Sequence, residues 1–166
     1  APFSNEIRGV WAGGTPGTVD NVIQYITIAS TGNAVDFGDS TEVNYAGDAL
    51  ASSTRGVHAL GLDPPNSNAR INVLDTVEIM TTGNATDFGD LTLARNQLGA
   101  FSSQIRGIAM GGNPETNLMD FHTISTTGNA QDFGDMTQSR QSPRGAASTT
   151  RGLSMGGEIP SNRSNV

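Results

Sequence analysis

Thr82-Gly83-Asn84-Ala85-Thr86-Asp87-Phe88-Gly89-Asp90 is one of three copies of a nine-residue phrase. The others occupy 31–39 and 127–135, and only the fifth position differs, Val35 and Gln131 replacing Thr86. Self-similarity of this kind marks an array of one supersecondary unit and takes precedence over any local reading.

A second landmark, Arg-Gly-apolar-x-x-Gly-Gly, accompanies the phrase. It is complete in Arg8-Gly9-Val10-Trp11-Ala12-Gly13-Gly14 and recurs from Arg55, Arg106 and Arg151, with Leu60 replacing the first Gly of the pair in the second copy. The interval from the last Asp of a phrase to the next Arg is constant at 16 residues: Asp39 to Arg55, Asp90 to Arg106, Asp135 to Arg151. The interval from the second Gly to the Phe varies: 23 residues from Gly14 to Phe37, 27 from Gly61 to Phe88, 21 from Gly112 to Phe133. All length variation therefore falls in the loop after the Gly pair, at 15–21, 62–72 and 113–117. Loops absorb insertions that paired strands do not. The units divide at about 1–47, 48–98, 99–143 and a partial 144–166, within a single repeat domain.

The segments between landmarks read as strands. Val22-Ile23-Gln24-Tyr25-Ile26-Thr27-Ile28 is largely apolar on both alternating sets, as are 73–79 and 118–124. A strand apolar on both sides is covered on both faces. Thr-Gly-Asn after it suits a tight hairpin, since Gly and Asn accept positive φ. Phe37, Phe88 and Phe133 then fill the space between neighbouring sheets. Each unit is expected to hold four short antiparallel strands: one before Arg-Gly, one through the Gly pair, the apolar one, and the Phe one.

Composition agrees. Gly occurs 21 times and aromatics make up 5 % of the chain, which suits many short strands and turns and not a helical bundle. The net charge is −7 and every basic residue is Arg, dispersed through the repeats, so no basic patch is expected for nucleic acid. Cysteine is absent, which excludes disulfides and thiolate metal sites. No apolar run approaches a membrane span, and no membrane insertion is expected. The chain opens at Ala1-Pro2 without Met and reads as processed or partial.

The pattern resembles kelch repeats: strand, Gly pair, variable loop, apolar strand with a turn, aromatic, basic residue. Phe37, Phe88 and Phe133 stand where kelch units usually carry Trp. Arg95 and Arg140 stand where those units often carry a basic residue, with Asn44 in the first copy. Tyr25 and Phe121 match the aromatic of the preceding strand, and Thr76 does not. The wording of 79–92 is closer still to tandem repeats, RGxxxGG then TTGNAxDFGD, of marine bacteriophage structural proteins of tail or virion. The resemblance implies an all-β, kelch-like β-propeller, here about three blades and a strand pair, and a fragment of a longer ring in preference to a ring shared between chains. A β-trefoil or β-prism is the alternative for three repeats of this size.

The resemblance carries no catalytic residue, and none is expected from the sequence. Kelch-like propellers include a copper oxidase, but its ligands include a modified Cys, which this chain lacks. The Asp pairs ending at Asp39, Asp90 and Asp135 offer too few ligands for Ca²⁺ and read as turn caps, so no metal or cofactor is expected. Arg8, Arg55, Arg106 and Arg151 read as structural partners of the repeated Asp across unit boundaries. His58 and His122 fall at different repeat positions and make no symmetric site. Asn84-Ala85-Thr86 and Asn162-Arg163-Ser164 match the glycosylation sequon by coincidence. The variable loops then remain as the recognition surface. Its expected residues are Trp11, Asp20, His58, Asp63, Asn66, Asn68, Arg70, Asn113 and Glu115. The expected role is a virion structural or attachment protein, virion-borne or extracellular. Its expected partners are other virion proteins or a host-surface glycan, in a homo-oligomer or larger assembly. A lectin-like module is the second reading and a propeller-enzyme fragment the third.

Overall fold

The computed structural model describes residues 1–14, 20–159 and, for the backbone alone, 162–163. Most of the first variable loop and Ser164 of the second sequon lie outside the described residues. Every regular element described is a β-strand.

The first sheet is β1 (Pro2–Ser4), β2 (Arg8–Ala12), β3 (Val22–Thr27) and β4 (Val35–Asp39), in that spatial order. The second is β5 (Ala49–Ala51), β6 (Arg55–Ala59), β9 (Val73–Glu78) and β10 (Thr86–Asp90), with a two-stranded insert of β7 (Leu62–Asp63) and β8 (Ala69–Arg70). The third is β11 (Gly99–Ser102), β12 (Arg106–Met110), β13 (Thr116–Thr123) and β14 (Gln131–Arg140). Two strand pairs follow: β15 (Arg144–Ala147) with β16 (Gly152–Met155), and β17 (Glu158–Ile159) with β18 (Asn162–Arg163). All ladders are antiparallel. The expected four strands per unit are thus present in the expected order. Among the described residues none of these sheets closes into a barrel or a ring.

The Phe of each phrase sits on a β-bulge. Asp36 pairs with Gln24 and Gly38 with Ile23, so Phe37 is skipped; Phe88 is skipped between Asp87 and Gly89, and Phe133 between Asp132 and Gly134. A bulge re-aims a side chain off the ordinary alternation. The Asp before each Phe fixes the bulge: Gly38, Gly89 and Gly134 donate N–H to Asp36, Asp87 and Asp132 Oδ1 at 3.1, 3.0 and 2.8 Å. The first Asp of each pair thus caps a backbone N–H, at a bulge and not at the expected turn.

The core lies between sheets. Phe37 joins Ile23 of its own sheet to Val77, Ile79 and Ala85 of the next; Phe88 joins Leu74 to Ile124 and Ala130 in the same way. First strands also pack side by side, β1 with β5, β5 with β11, β11 with β15. The Gly after each repeated Arg makes room there. A Cβ on Gly56, Gly107 or Gly152 would lie 2.1, 2.6 or 2.0 Å from Phe3, Leu50 or Phe101 of the preceding unit.

A backbone lock closes the first two joints. Gly83 and Ala85 of the second unit donate N–H to the carbonyls of Phe37 and Asp39, both at 2.7 Å. Gly128 and Ala130 do the same to Phe88 and Asp90, again at 2.7 Å. Asn84 and Asn129 return the contact, each Oδ1 accepting from Asp39 N–H or Asp90 N–H at 3.1 Å. The Thr-Gly-Asn-Ala half of one phrase therefore binds the Phe-Gly-Asp half of the phrase before it. Gly38 (φ 144°) and Gly89 (φ 137°) admit that approach: a Cβ there would stand 2.4 and 2.5 Å from Gly83 and Gly128 backbone.

Among the described residues nothing covers Phe133 in this way, and it is 48 % exposed, against 2 % for Phe37 and Phe88. Truncating a buried Phe costs about 3–5 kcal/mol, whereas a half-exposed one costs less than about 1 kcal/mol. Urea unfolding should therefore show a large loss for Phe88→Ala and a small one for Phe133→Ala. Equal losses would contradict the joint described here.

Candidate functional site

The second variable loop forms the most developed part of the rim. It folds as the β7–β8 hairpin, whose tip places Ser67 and Asn68 at φ 55° and 58°. Asp63 Oδ1 accepts Asn66 N–H at 3.3 Å, and Asn66 O accepts Ala69 N–H at 3.0 Å. Asp63 and Asn66 thus serve the hairpin's own turn, an ordinary use of Asx side chains.

The hairpin reaches both neighbours. Tyr45 of the first unit donates its hydroxyl to Asn68 Oδ1 at 3.1 Å. Arg70 donates Nε–H to Asn96 Oδ1 at 3.3 Å and Nη2–H to Asn113 Oδ1 at 3.1 Å. Tyr45, Asn68, Arg70, Asn96 and Asn113 therefore make one connected cluster across three units. Among the described residues no carboxylate lies within ion-pair distance of Arg70. Two amide oxygens fix the exposed guanidinium without neutralising it, which leaves a cation available to a carboxylate or a sugar hydroxyl.

A recurrent link supports this rim. Tyr45 pairs with Leu62, Asn96 with Asn113, and Gln141 with Glu158, each an isolated bridge between consecutive units. Tyr45 and Asn96 were not foreseen from sequence. Their signal is a constant spacing of 17 residues to the bridge partner beyond the Gly pair.

The other expected rim residues scatter. Asp20 is exposed, and Glu115 is half-buried beyond the Asn113-Pro114 cis bond. Trp11 is half-buried in β2, beside a shallow cleft of about 300 Å³ lined by Phe3, Val10 and Ile26. His58 does not belong to the rim. It is 1 % exposed, with Nε2 3.1 Å from Ser40 Oγ and 4.0 Å from Asp75 Oδ2. Its position in the repeat faces Ser40 of the preceding unit; in the first sheet the same position holds the half-buried Trp11.

Of the repeated Arg residues, Arg8 and Arg55 cross the joints and meet carbonyls and not the repeated Asp, and Arg55 also pairs with Glu78 of its own sheet at 2.8 Å. Arg8 Nη1 donates to Ile79 O at 2.8 Å, and Arg55 Nη1 to Ile124 O at 3.1 Å. Arg8 also stacks on Tyr25 at 4.3 Å, and Arg106 on Phe121 at 4.7 Å. The carboxylates that do staple the joints are third-strand Asp75 and Asp120. Thr41 gives Asp75 its N–H and hydroxyl at 2.8 and 2.7 Å, and Thr92 gives Asp120 the same pair at 3.2 and 2.6 Å. Arg95 adds a fully buried ion pair to Asp120 at 3.1 Å. Arg151 is exposed.

Among the described residues no three of His, Asp and Glu converge as a metal site. No helix long and apolar enough to cross a membrane is present among them. No protein-family model and no curated protein matches the chain.

Burial holds both joint histidines neutral, lowering His58 to about 3 and His122 to about 4. The unfolded chain keeps His near 6.5 and so binds more protons between 6.5 and those values. Stability should therefore fall as pH drops below about 6.5, by about 2 kcal/mol per His at pH 5. Burial raises Asp75, which acts in the opposite direction. The check is comparative: melting temperature from pH 7.5 to 5 should decline less for His58→Gln/His122→Gln than for the parent chain.

Proposed function

We propose that this chain is a non-enzymatic structural or attachment component of a virion. In this reading its sheets are successive blades of a kelch-like propeller, and the rim cluster around Arg70 is its contact with a partner. The observation that carries the reading is the confinement of length variation to one loop per unit, while two successive joints repeat the same backbone lock. A scaffold that holds its joints constant and varies its rim is organised for recognition. The likeness of 79–92 to phage structural repeats supports a virion or extracellular setting, with other virion proteins as partners. First strands that pack side by side from unit to unit suit blades set around a common centre.

Carbohydrate binding is the second reading, favoured by one specific observation. Tyr45, Asn68 and Arg70 gather a phenol, an amide and a fixed guanidinium at one place. Those groups suit sugar faces and hydroxyls.

The experiment compares the parent chain with Arg70→Ala. Co-purification with other virion proteins, lost in the variant while melting temperature holds, is expected. Strong glycan-array signals lost in the variant, without protein co-purification, would replace the first reading with the second. Binding of both kinds left unchanged by the variant would overturn the assignment of the rim.

A further inference from the structure

The third joint is built like the first two on one side and has its counterpart missing on the other. Phe133 and Asp135 stand where Phe37, Asp39, Phe88 and Asp90 accept the lock, yet among the described residues no turn donates to them. Gly134 has nothing within 4 Å of the place its Cβ would take, where Gly38 and Gly89 have the next unit's backbone at 2.4 and 2.5 Å.

The same vacancy repeats in the side chains. Thr137 occupies the position of Thr41 and Thr92, which bind Asp75 and Asp120. Arg140 occupies the position of Arg95, whose partner is Asp120. Arg140 instead donates to Gly156 O and Gln138 Oε1, and no carboxylate is within ion-pair distance among the described residues.

β16 completes the picture. Its equivalents β2, β6 and β12 each pair with a third strand, whereas among the described residues β16 pairs with β15 alone. Leu153 and Met155 are 55 % and 49 % exposed, while the matching pairs Val10/Ala12, Val57/Ala59 and Ile108/Met110 are at most 5 % exposed. Two overlapping clefts of about 340 and 500 Å³ lie here, sharing Phe101, Phe133 and Arg151.

β15 and β16 already fill the places of a first and second strand, with Phe101 packed on Gly152. An intact unit of a second copy would collide with them. The geometry points to one occupant: a β-hairpin of this repeat's own third-and-fourth-strand kind. It adds to the β16 edge, offers an Asp to Arg140 and Thr137, and lays a Thr-Gly-Asn-Ala turn along Phe133–Asp135. Strand addition of this type draws affinity from main-chain hydrogen bonds and specificity from alternate side chains.

The probe is a synthetic peptide of residues 73–90, which carries Asp75 and the 82–85 turn, titrated into the full chain. Saturable binding is expected, with slowed amide exchange at 152–155. Peptides bearing Asp75→Asn or Asn84→Ala should bind at least tenfold more weakly, and a scrambled peptide not at all. Gly134→Val in the protein should also weaken binding at least tenfold, with circular dichroism checking its fold. The peptide variants test the same contacts if that protein fails to fold. Absence of binding, equal binding by the peptide variants, or self-association of the chain that the peptide does not displace would each overturn the inference.

Discussion

The turn-to-strand lock is the constraint on which the other features depend. A hydrogen bond within a protein contributes about 0.5–1.5 kcal/mol net, so the lock is not the main source of stability. Burial of one Phe contributes about 1.5–3 kcal/mol. What the lock supplies is register. Two N–H groups on one phrase meet two carbonyls on the phrase before it, at 2.7 Å in both joints. With that spacing fixed, the bulged Phe enters the gap between sheets, and Thr41 and Thr92 come within reach of Asp75 and Asp120. Apolar burial drives the joint together, and directional contacts decide how it sits.

The joints differ in their polar interiors. The first holds Asp75 with Thr41, beside His58. The second holds Asp120 with Thr92 and Arg95, beside His122, which packs edge-on against Phe88 at 5.0 Å. A buried ion pair recovers little net stability after desolvation, although removing one partner is costly. Arg95 and Asp120 are therefore better understood as selecting one mode of packing than as strengthening it. The first joint has Asn44 in the Arg95 position, and its amide turns back to Glu42 O at 2.9 Å.

Much of this was legible in the sequence because the sequence repeats. Three copies of one phrase gave the number of complete sheets, constant and variable intervals separated joints from loops, and two-sided apolarity marked the central strands. The bulge was not legible, since strand periodicity assumes that every residue pairs. Nor was what Arg8 and Arg55 reach across the joints: recurrence suggested the repeated Asp, but a backbone carbonyl leaves no mark in the sequence. His58 shares the repeat position of Trp11, another expected rim residue, yet in the fold it is buried against Ser40 of the preceding unit. Tyr45 and Asn96 escaped notice because their bridges are made by backbone atoms, which constrain spacing and not residue type.

Because both halves of the lock are encoded in the same nine residues, any copy of the phrase is competent to follow any other. Recombination between units would add or delete a whole module while leaving the lock of each surviving junction matched. Unit number is thus free to drift in descent, and the register at each junction is not. A lineage built on this phrase can change its reach without inventing a new interface.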